Sequence, residues 1–232
     1  MKTYSIAGLK VNMECSGRSE VQAEKYLIDY TDSPDITIKP NDEYVKKMHE
    51  AYPDLSLDDC QYIYFSKMLN NALLDFDGLV LHSSAVAYEN KAYLFSADSG
   101  TGKSTHTGLW KTAFEGAYIV NDDKPIIRLI DGNFYVCGTP FSGSSALNEN
   151  VIVPLQAICF IERDGKNSIT LMEDTSNVIY RFLSQTIRRA GNEKSEMILS
   201  LLDKILKEIP VYNLKCLPNI DAAILAHEEM SK

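Results

Sequence analysis

The 232-residue chain has no apolar run long enough to cross a membrane, because a transmembrane helix needs about 20 consecutive, mostly apolar residues. The segment from Met1 to Ile6 also lacks the apolar core of a secretory signal peptide. These two absences argue against a membrane partner and lead us to expect a cytoplasmic protein.

Basic residues are in deficit. The chain has 23 Lys and Arg against 32 Asp and Glu, a formal net charge of −9. A protein that holds nucleic acid by neutralising its phosphates carries the opposite balance. We therefore expect no nucleic-acid partner.

Cysteine is sparse and unpatterned, with five residues, an odd number, and no Cys-x-x-Cys spacing. This excludes a disulfide framework and gives no sign of a zinc site, so reduced core thiols are expected. No repeat or low-complexity tract is present, and a hydrophobic share of 45% is typical of a globular protein. The cysteines are Cys15, Cys60, Cys137, Cys159 and Cys216.

Alternating strand and helix patterns predict an α/β fold. Turn signals at Glu89-Asn90 and Asp131-Gly132 predict hairpins. The predicted elements are short strands up to about 40, a helix after Ser56 through Leu73, strands at 79–82, 85–88 and 91–95, a helix from Ser104, strands at 117–120, 125–130, 133–137 and 157–162, helices near 177–189 and 193–209, a strand at 211–216 and a last helix from Asp221.

A glycine-rich segment lies between the strand at 91–95 and the helix from Ser104. The P-loop pattern is Gly, four residues, then Gly-Lys-Ser/Thr, and here Ala97 replaces the first glycine. Backbone N–H groups of a P-loop surround a phosphate, and the following helix N-terminus adds partial positive charge. The flanking strand and helix favour this interpretation over a chance Gly/Ser turn. The segment comprises Ala97, Asp98, Ser99, Gly100, Thr101, Gly102, Lys103, Ser104 and Thr105.

The loop predicts ATP and Mg²⁺ as ligands. Lys103 would bridge the β- and γ-phosphates, and the Ser104 hydroxyl would hold Mg²⁺.

Two carboxylates, Asp122 and Asp123, directly follow the strand at 117–120. A kinase site needs one carboxylate to organise Mg²⁺ and a base near the acceptor hydroxyl. We take Asp122 with Ser104 as the metal ligands but leave open which aspartate is the base. The alternative is a solvated acidic turn before Pro125.

Three segments resemble the HPr kinase/phosphorylase family in order and spacing: 81–86 (LHSSAV), 98–105 (DSGTGKST) and 120–123 (VNDD). The resemblance covers about residues 78–165. It implies a P-loop core of mixed, twisted sheet with flanking helices, similar to phosphoenolpyruvate carboxykinase. It also implies transfer of the γ-phosphate to a hydroxyl, with His82 close to the active site and Asp98 inside the loop.

No linker-like stretch divides the chain, which predicts a single HPr kinase-like domain. Residues 1–77 would form a β-rich N-terminal layer with a helix, residues 78–165 the nucleotide-binding core, and residues 166–232 a helical C-terminal part. The sequence leaves open whether the chain forms a homo-oligomer.

The chain departs from the family pattern in three ways. Ala97 replaces a glycine, Ser83-Ser84 follows His82 where the family has glycine, and the later motif of the bifunctional enzymes has no clear counterpart. We therefore expect the acceptor to be a hydroxyl of another peptide, protein or small molecule rather than of HPr. Two rival interpretations are a carboxykinase-like enzyme and a nucleotide-binding regulator that transfers no phosphate.

Four further features have open interpretations. We expect His106 to face solvent and Trp110 to lie in the core. The segment 138–145 is either an ordinary loop or a substrate-contacting one. Arg188-Arg189 either complements a helix dipole or clamps a phosphate.

Overall fold

The N-terminal third combines a small sheet with three helices. The structure, a computed structural model, describes residues 1–143, 145–186 and 192–232, with only the backbone at 192 and 193. The strands pair in the order β3-β1-β2-β4. The elements are β1 (Lys2–Ile6), β2 (Leu9–Met13), α1 (Gly17–Ala23), β3 (Leu27–Ile28), β4 (Ile36–Ile38), α2 (Asp42–Ala51) and α3 (Leu57–Leu73), with a 3₁₀ turn at Glu24–Tyr26.

Local chemistry explains two of these elements. β1 and β2 form a hairpin whose turn, Ala7-Gly8, has positive φ at both residues. Helix α3 begins with a capping box, because the Ser56 side chain accepts from the Asp59 N–H and the Asp59 side chain accepts from the Ser56 N–H. Phe65 of α3 is buried in the same apolar cluster as Ile6 and Val11.

The rest of the described chain builds a larger, nine-stranded sheet. Seven strands follow the order β5-β9-β10-β11-β7-β6-β8, and β13 pairs with both β11 and β12. The elements are a 3₁₀ turn at Leu74–Phe76, β5 (Gly78–Val80), β6 (Ser83–Tyr88), β7 (Lys91–Ser96), α4 (Lys103–Ala113), β8 (Tyr118–Asn121), β9 (Ile126–Ile130), β10 (Asn133–Cys137), β11 (Ile152–Arg163), β12 (Ser168–Leu171), α5 (Thr175–Ser184), α6 (Asn192–Glu208), β13 (Val211–Cys216) and α7 (Ile220–Met230).

The larger sheet is mixed. β7 and β13 both run parallel to β11, whereas β6, β8, β9 and β10 join through antiparallel pairs. Because the central three strands are parallel, their carboxyl ends meet at one edge of the sheet.

Helices pack on both faces of this sheet. Alternate residues of β7 point to opposite faces, so Leu94 joins one apolar cluster while Tyr93 and Phe95 join another. The first cluster includes Phe182 of α5 and Leu202 of α6. The second includes residues of α4 and α7, among them the fully buried Trp110, as predicted. The α/β class with flanking helices is therefore confirmed.

Most predicted elements appear within a few residues of their predicted bounds. The two hairpin turns are confirmed, since Glu89, Asn90, Asp131 and Gly132 all have positive φ. The predicted helix near 177–189 corresponds to α5, but its predicted end and the pair Arg188-Arg189 lie outside the described residues.

Four details of the sequence interpretation were wrong. α1 occupies part of the region predicted as short strands, α2 and β12 were missed, and β11 begins at Ile152, five residues before the predicted start at 157. α1 escapes detection because seven residues supply less than two turns of periodicity.

All five cysteines are free thiols, four of them buried. Burial raises the pKa of Cys137 to about 12. Within the described ranges, no helix is both long and apolar enough to cross a bilayer. The cytoplasmic location and the division into parts of a single domain stay predictions.

Candidate functional site

The glycine-rich segment connects the carboxyl end of β7 to the first residue of α4. Gly100 and Gly102 adopt φ of 79° and 121°, values that residues with a Cβ rarely take. Ala97 is buried, and its φ is not positive. The positive φ values of this loop therefore fall on glycines. Ala97, which departs from the P-loop pattern, does not need a positive φ.

Lys103 lies inside this turn. Its side chain is buried, and Nζ donates to the carbonyl oxygen of Ala97 over 3.1 Å. Burial lowers the pKa of Lys103 below its ordinary value of 10.5, although the carboxylates of Asp123, Asp122 and Asp98 act in the opposite direction. The ammonium is thus held over its own loop, close to three carboxylates.

The loop is also fastened from the end of β11. Arg163 donates through Nε to the carbonyl of Thr101 over 2.9 Å, and through Nη2 to the carbonyl of Gly100. Arg163 therefore holds two carbonyls of the loop, while the N–H of Thr101 donates to the carbonyl of Asp98 over 3.2 Å within the loop. The side chains of Ser104 and Thr105, in the first turn of α4, are exposed.

Asn121 fixes the acidic pair at the end of β8. Its Oδ1 accepts from the N–H groups of Asp123 and Lys124, at 2.9 and 2.7 Å, and its Nδ2 donates to the carbonyl of Thr139. This turn holds the backbone of both aspartates. Sequence reasoning assigned Asn121 no role, although an Asn before two acidic residues is a turn signal.

Asp122 is buried and tied to helix α4 through two hydroxyls. Its Oδ1 accepts from Ser84 Oγ over 2.9 Å, and Ser84 Oγ lies 2.7 Å from Thr107 Oγ1 on α4. Its Oδ2 accepts from Ser145 Oγ over 2.7 Å. Asp122 therefore lies between helix α4 and Ser145, in the segment that follows β10.

Asp123 faces two nitrogen donors. Its carboxylate lies 3.2 Å from His82 Nε2 and 3.3 Å from Lys124 Nζ. Burial by itself would raise the pKa of Asp123, but the hydrogen bond from His82 and the charge of Lys124 together hold that pKa below 3.8. Asp123 is consequently ionised at neutral pH.

A hydrogen-bonded chain joins Asp123 back to the loop. His82 Nδ1 lies 2.9 Å from Gln185 Oε1, and Gln185 Nε2 donates to Asp98 Oδ1 over 2.9 Å. The backbone N–H of His82 also donates to the carbonyl of Gln185. Gln185 was missed because it reaches the site from the end of α5, with no local motif around it.

The structure therefore brings together the predicted side chains His82, Asp98, Lys103, Asp122 and Asp123. The expectation that His106 faces solvent was wrong. His106 is 3% exposed, and Trp110 Nε1 donates to its Nε2 over 3.2 Å. Helical spacing places His106 four residues before Trp110 on one face of α4, directed into the core.

The segment 138–150 lies beside the two aspartates. Gly138 has no room for a Cβ, which would lie 1.7 Å from the carbonyl oxygen of Glu149. An added Cβ at Gly143 would lie 3.6 Å from Cβ of Asp123. Gly143 and Ser145 of this segment therefore lie next to the two carboxylates.

Two cavities flank the loop. One, of about 800 Å³, has polar walls that include Asp98, Glu162, Arg181 and Gln185. The other, of about 530 Å³, lies beside the first turn of α4.

The donors near the loop suit Mg²⁺. Hydroxyl and carboxylate oxygens, here from Ser104 and Asp122, are the ligands this ion prefers, and it usually takes only one or two carboxylates and completes its shell with water and phosphate oxygens. The described residues contain no group of three His, Cys, Asp or Glu side chains that could hold a metal by themselves.

Of three comparisons with known proteins, only the comparison with solved structures found a match. No protein-family model matches the chain, and no curated protein matches it. Solved structures that match include the Hpr(Ser) kinase/phosphatase from Coxiella burnetii, at 11% sequence identity, covering 65% of this chain and 89% of that chain with a TM-score of 0.33. A TM-score this low carries no argument about function.

Proposed function

We propose that this protein is an ATP-dependent phosphotransferase that moves the γ-phosphate of ATP to a hydroxyl of a peptide, a protein or a small molecule. One observation carries the proposal. A glycine-bent loop with a buried lysine lies beside two aspartates that are held from separate elements, β8, β6 and the segment 138–150.

The loop would bind the phosphates. N–H groups at the N-terminus of α4 and the ammonium of Lys103 supply positive potential where charge develops on the transferred group. On ATP binding, Lys103 Nζ would exchange the carbonyl of Ala97 for phosphate oxygens. Mg²⁺, held by Ser104 and one aspartate, would neutralise part of the phosphate charge.

The acidic pair offers two environments for two roles. Among the described residues, the side chain of Asp122 accepts hydrogen bonds only from hydroxyls, so an acceptor hydroxyl can replace Ser145 at its Oδ2. Asp123 is already paired with His82 and Lys124. A carboxylate that binds hydroxyls suits the base, because it must accept the acceptor's proton. In this proposal Asp122 is the base, a choice that the sequence left open, and Asp123 replaces Asp122 as the carboxylate that organises the metal.

The reaction would form a bond between the acceptor oxygen and the γ-phosphorus and break the bond from that phosphorus to the β,γ-bridging oxygen. ADP leaves, and the hydroxyl proton passes to Asp122. His82 and Gln185 orient Asp123 and Asp98 without touching the transferred group.

Replacement of each aspartate by asparagine tests these roles. With Asp122→Asn we expect ATP affinity to persist while turnover falls by roughly 10²–10⁴-fold. With Asp123→Asn we expect Mg²⁺ dependence and ATP affinity to fall together. Calorimetry measures ATP binding, and release of ADP measures turnover with water as the basal acceptor and with a panel of serine peptides and polyols.

The regulator alternative makes a different prediction. Wild-type protein that binds Mg–ATP but forms no ADP with water or any member of the panel would favour it. If both asparagine variants turn over ATP as fast as wild type, the proposed mechanism is wrong.

A further inference from the structure

An apolar cavity of about 530 Å³ opens beside the first turn of α4. Its walls come from two sides, the start of the helix and the ends of two strands. Residues of the wall include Thr105, His106, Ile161, Cys216, Leu217 and Pro218.

The position of this cavity is one where α/β proteins place ligands. Ile161 lies near the carboxyl end of β11, and Cys216 ends β13. β7, β11 and β13 run parallel, so these ends share an edge with the glycine-rich loop. In open α/β sheets, ligands bind in the crevice outside the carboxyl ends of the strands.

Most of the wall is apolar, although the charged residues Arg163 and Asp164 also line it, and apolar walls suit the faces of a flat heteroaromatic ring. Ile161, Leu217 and Pro218 are apolar, and burial raises the pKa of Cys216, which keeps its thiol neutral. Ligand sites of this kind combine apolar walls with a few placed polar groups that fix orientation.

His106 supplies such a polar group. Burial lowers its pKa to about 4, so the ring is neutral at neutral pH. Because Nε2 accepts from Trp110, the ring hydrogen sits on Nδ1. Among the described residues, no group accepts a hydrogen bond from that Nδ1.

We propose that this cavity holds the purine base of the nucleotide, with His106 Nδ1 donating to an acceptor atom of the base. The inference rests on the proposed function, because it requires phosphates in the neighbouring loop. Thr101 and Gly102 line the cavity and also belong to that loop, so the base and phosphate sites are contiguous.

Leu217→Glu tests the proposal, because it places a carboxylate in the wall of the cavity. Leu217 is 39% exposed, so the variant should fold. The matched control is Leu199→Glu, at a leucine of α6 that is 48% exposed and is not part of this wall. Calorimetry compares Mg–ATP with Mg–tripolyphosphate, a probe that has phosphates but no base.

Wild type should bind ATP at least about tenfold more tightly than tripolyphosphate, a difference of roughly 1.4 kcal/mol. Leu217→Glu should weaken ATP binding by about tenfold or more and leave tripolyphosphate unchanged, and Leu199→Glu should change neither. His106→Phe, which keeps a ring against Phe95, should likewise weaken ATP alone. Unchanged tripolyphosphate binding shows in each case that the fold is intact.

Failure of the two proposals can be told apart. Wild type that binds neither ATP nor tripolyphosphate would overturn the proposed function. Equal wild-type affinity for the two probes, or wild-type ATP affinity in both Leu217→Glu and His106→Phe, would overturn the base site while leaving the phosphate site in place.

Discussion

At the scale of single residues, Lys103 shows how burial and charge oppose each other. Burial favours the neutral amine, and the nearby carboxylates favour the ammonium that phosphate binding needs. The balance lowers the pKa, so the proton leaves Lys103 at a pH below the ordinary value of 10.5.

This balance predicts a pH dependence of nucleotide affinity. As the pH rises from neutrality towards 10.5, Lys103 loses its charge and its attraction for phosphate, so ATP affinity should already fall below the ordinary pKa of a lysine. Lys103→Arg should bind ATP more weakly but lose this pH dependence, because guanidinium stays protonated. Calorimetry across that range measures both, and a flat wild-type profile would contradict the prediction.

The residues that could be predicted from the sequence are those within local motifs. Lys103, Asp122 and Asp123 each follow a strand, and strand ends can be recognised from a single sequence. Gln185 could not be found this way, because its role depends on where α5 ends in space. The expectation for His106 failed because its neighbour in the sequence, the exposed Thr105, says nothing about the opposite face of the helix.

At the scale of elements, the loop and α4 contain two kinds of glycine. Gly102 precedes the helix with φ of 121°, whereas Gly108 lies in the helix interior and has no positive φ. A Cβ at either position would meet no atom within 4 Å, so crowding does not distinguish them. Backbone conformation alone sets the effect of a substitution.

Alanine substitutions at Gly102 and Gly108 should therefore change the free energy of unfolding in opposite directions. Gly102→Ala should destabilise the protein by roughly 1–2 kcal/mol, since it forces an L-residue into positive φ. Gly108→Ala should stabilise it by roughly 0.5–1 kcal/mol, since alanine loses less freedom in a helix. Urea unfolding without nucleotide measures both. Equal effects of the two changes would show that the loop is not bent as described.

Local signals explain why most elements could be predicted and a few could not. The positive φ at Glu89-Asn90 and Asp131-Gly132 follows from turn chemistry that is visible in the sequence. The extra length of β11, which begins at Ile152, depends on pairing with β10, a contact that no local pattern encodes.

At the scale of the whole molecule, the N-terminal elements contact the segment beside the aspartates. Tyr62 of α3 accepts from the N–H of Ser142 over 2.7 Å and donates to its carbonyl over 2.8 Å. Arg18 of α1 donates to the carbonyl of Gly143 over 3.2 Å. Because Ser145 of the same segment binds Asp122, α1 and α3 have a path of contacts to the site. The two residues of each contact are 80 or 125 positions apart in the sequence, so these contacts could not be predicted from local patterns.

Removal of one hydroxyl tests this path. Tyr62→Phe leaves the buried N–H of Ser142 without a partner, which should cost roughly 1–3 kcal/mol and lower turnover. Tyr64→Phe is the matched control on the same helix, because the Tyr64 hydroxyl donates to the carbonyl of Lys39, away from the segment. Denaturant unfolding and ADP release are measured on both variants. A loss of turnover in Tyr64→Phe equal to that in Tyr62→Phe would refute the path.

The central claim is that the loop ending in Lys103 and Ser104 binds Mg–ATP. Calorimetric titration of wild type, Lys103→Ala and Lys111→Ala tests it most directly, because Lys111 is an exposed lysine in the last turn of the same helix. We predict that wild type and Lys111→Ala bind Mg–ATP with the same affinity and that Lys103→Ala shows no measurable binding. Equal binding by wild type and Lys103→Ala would contradict the account.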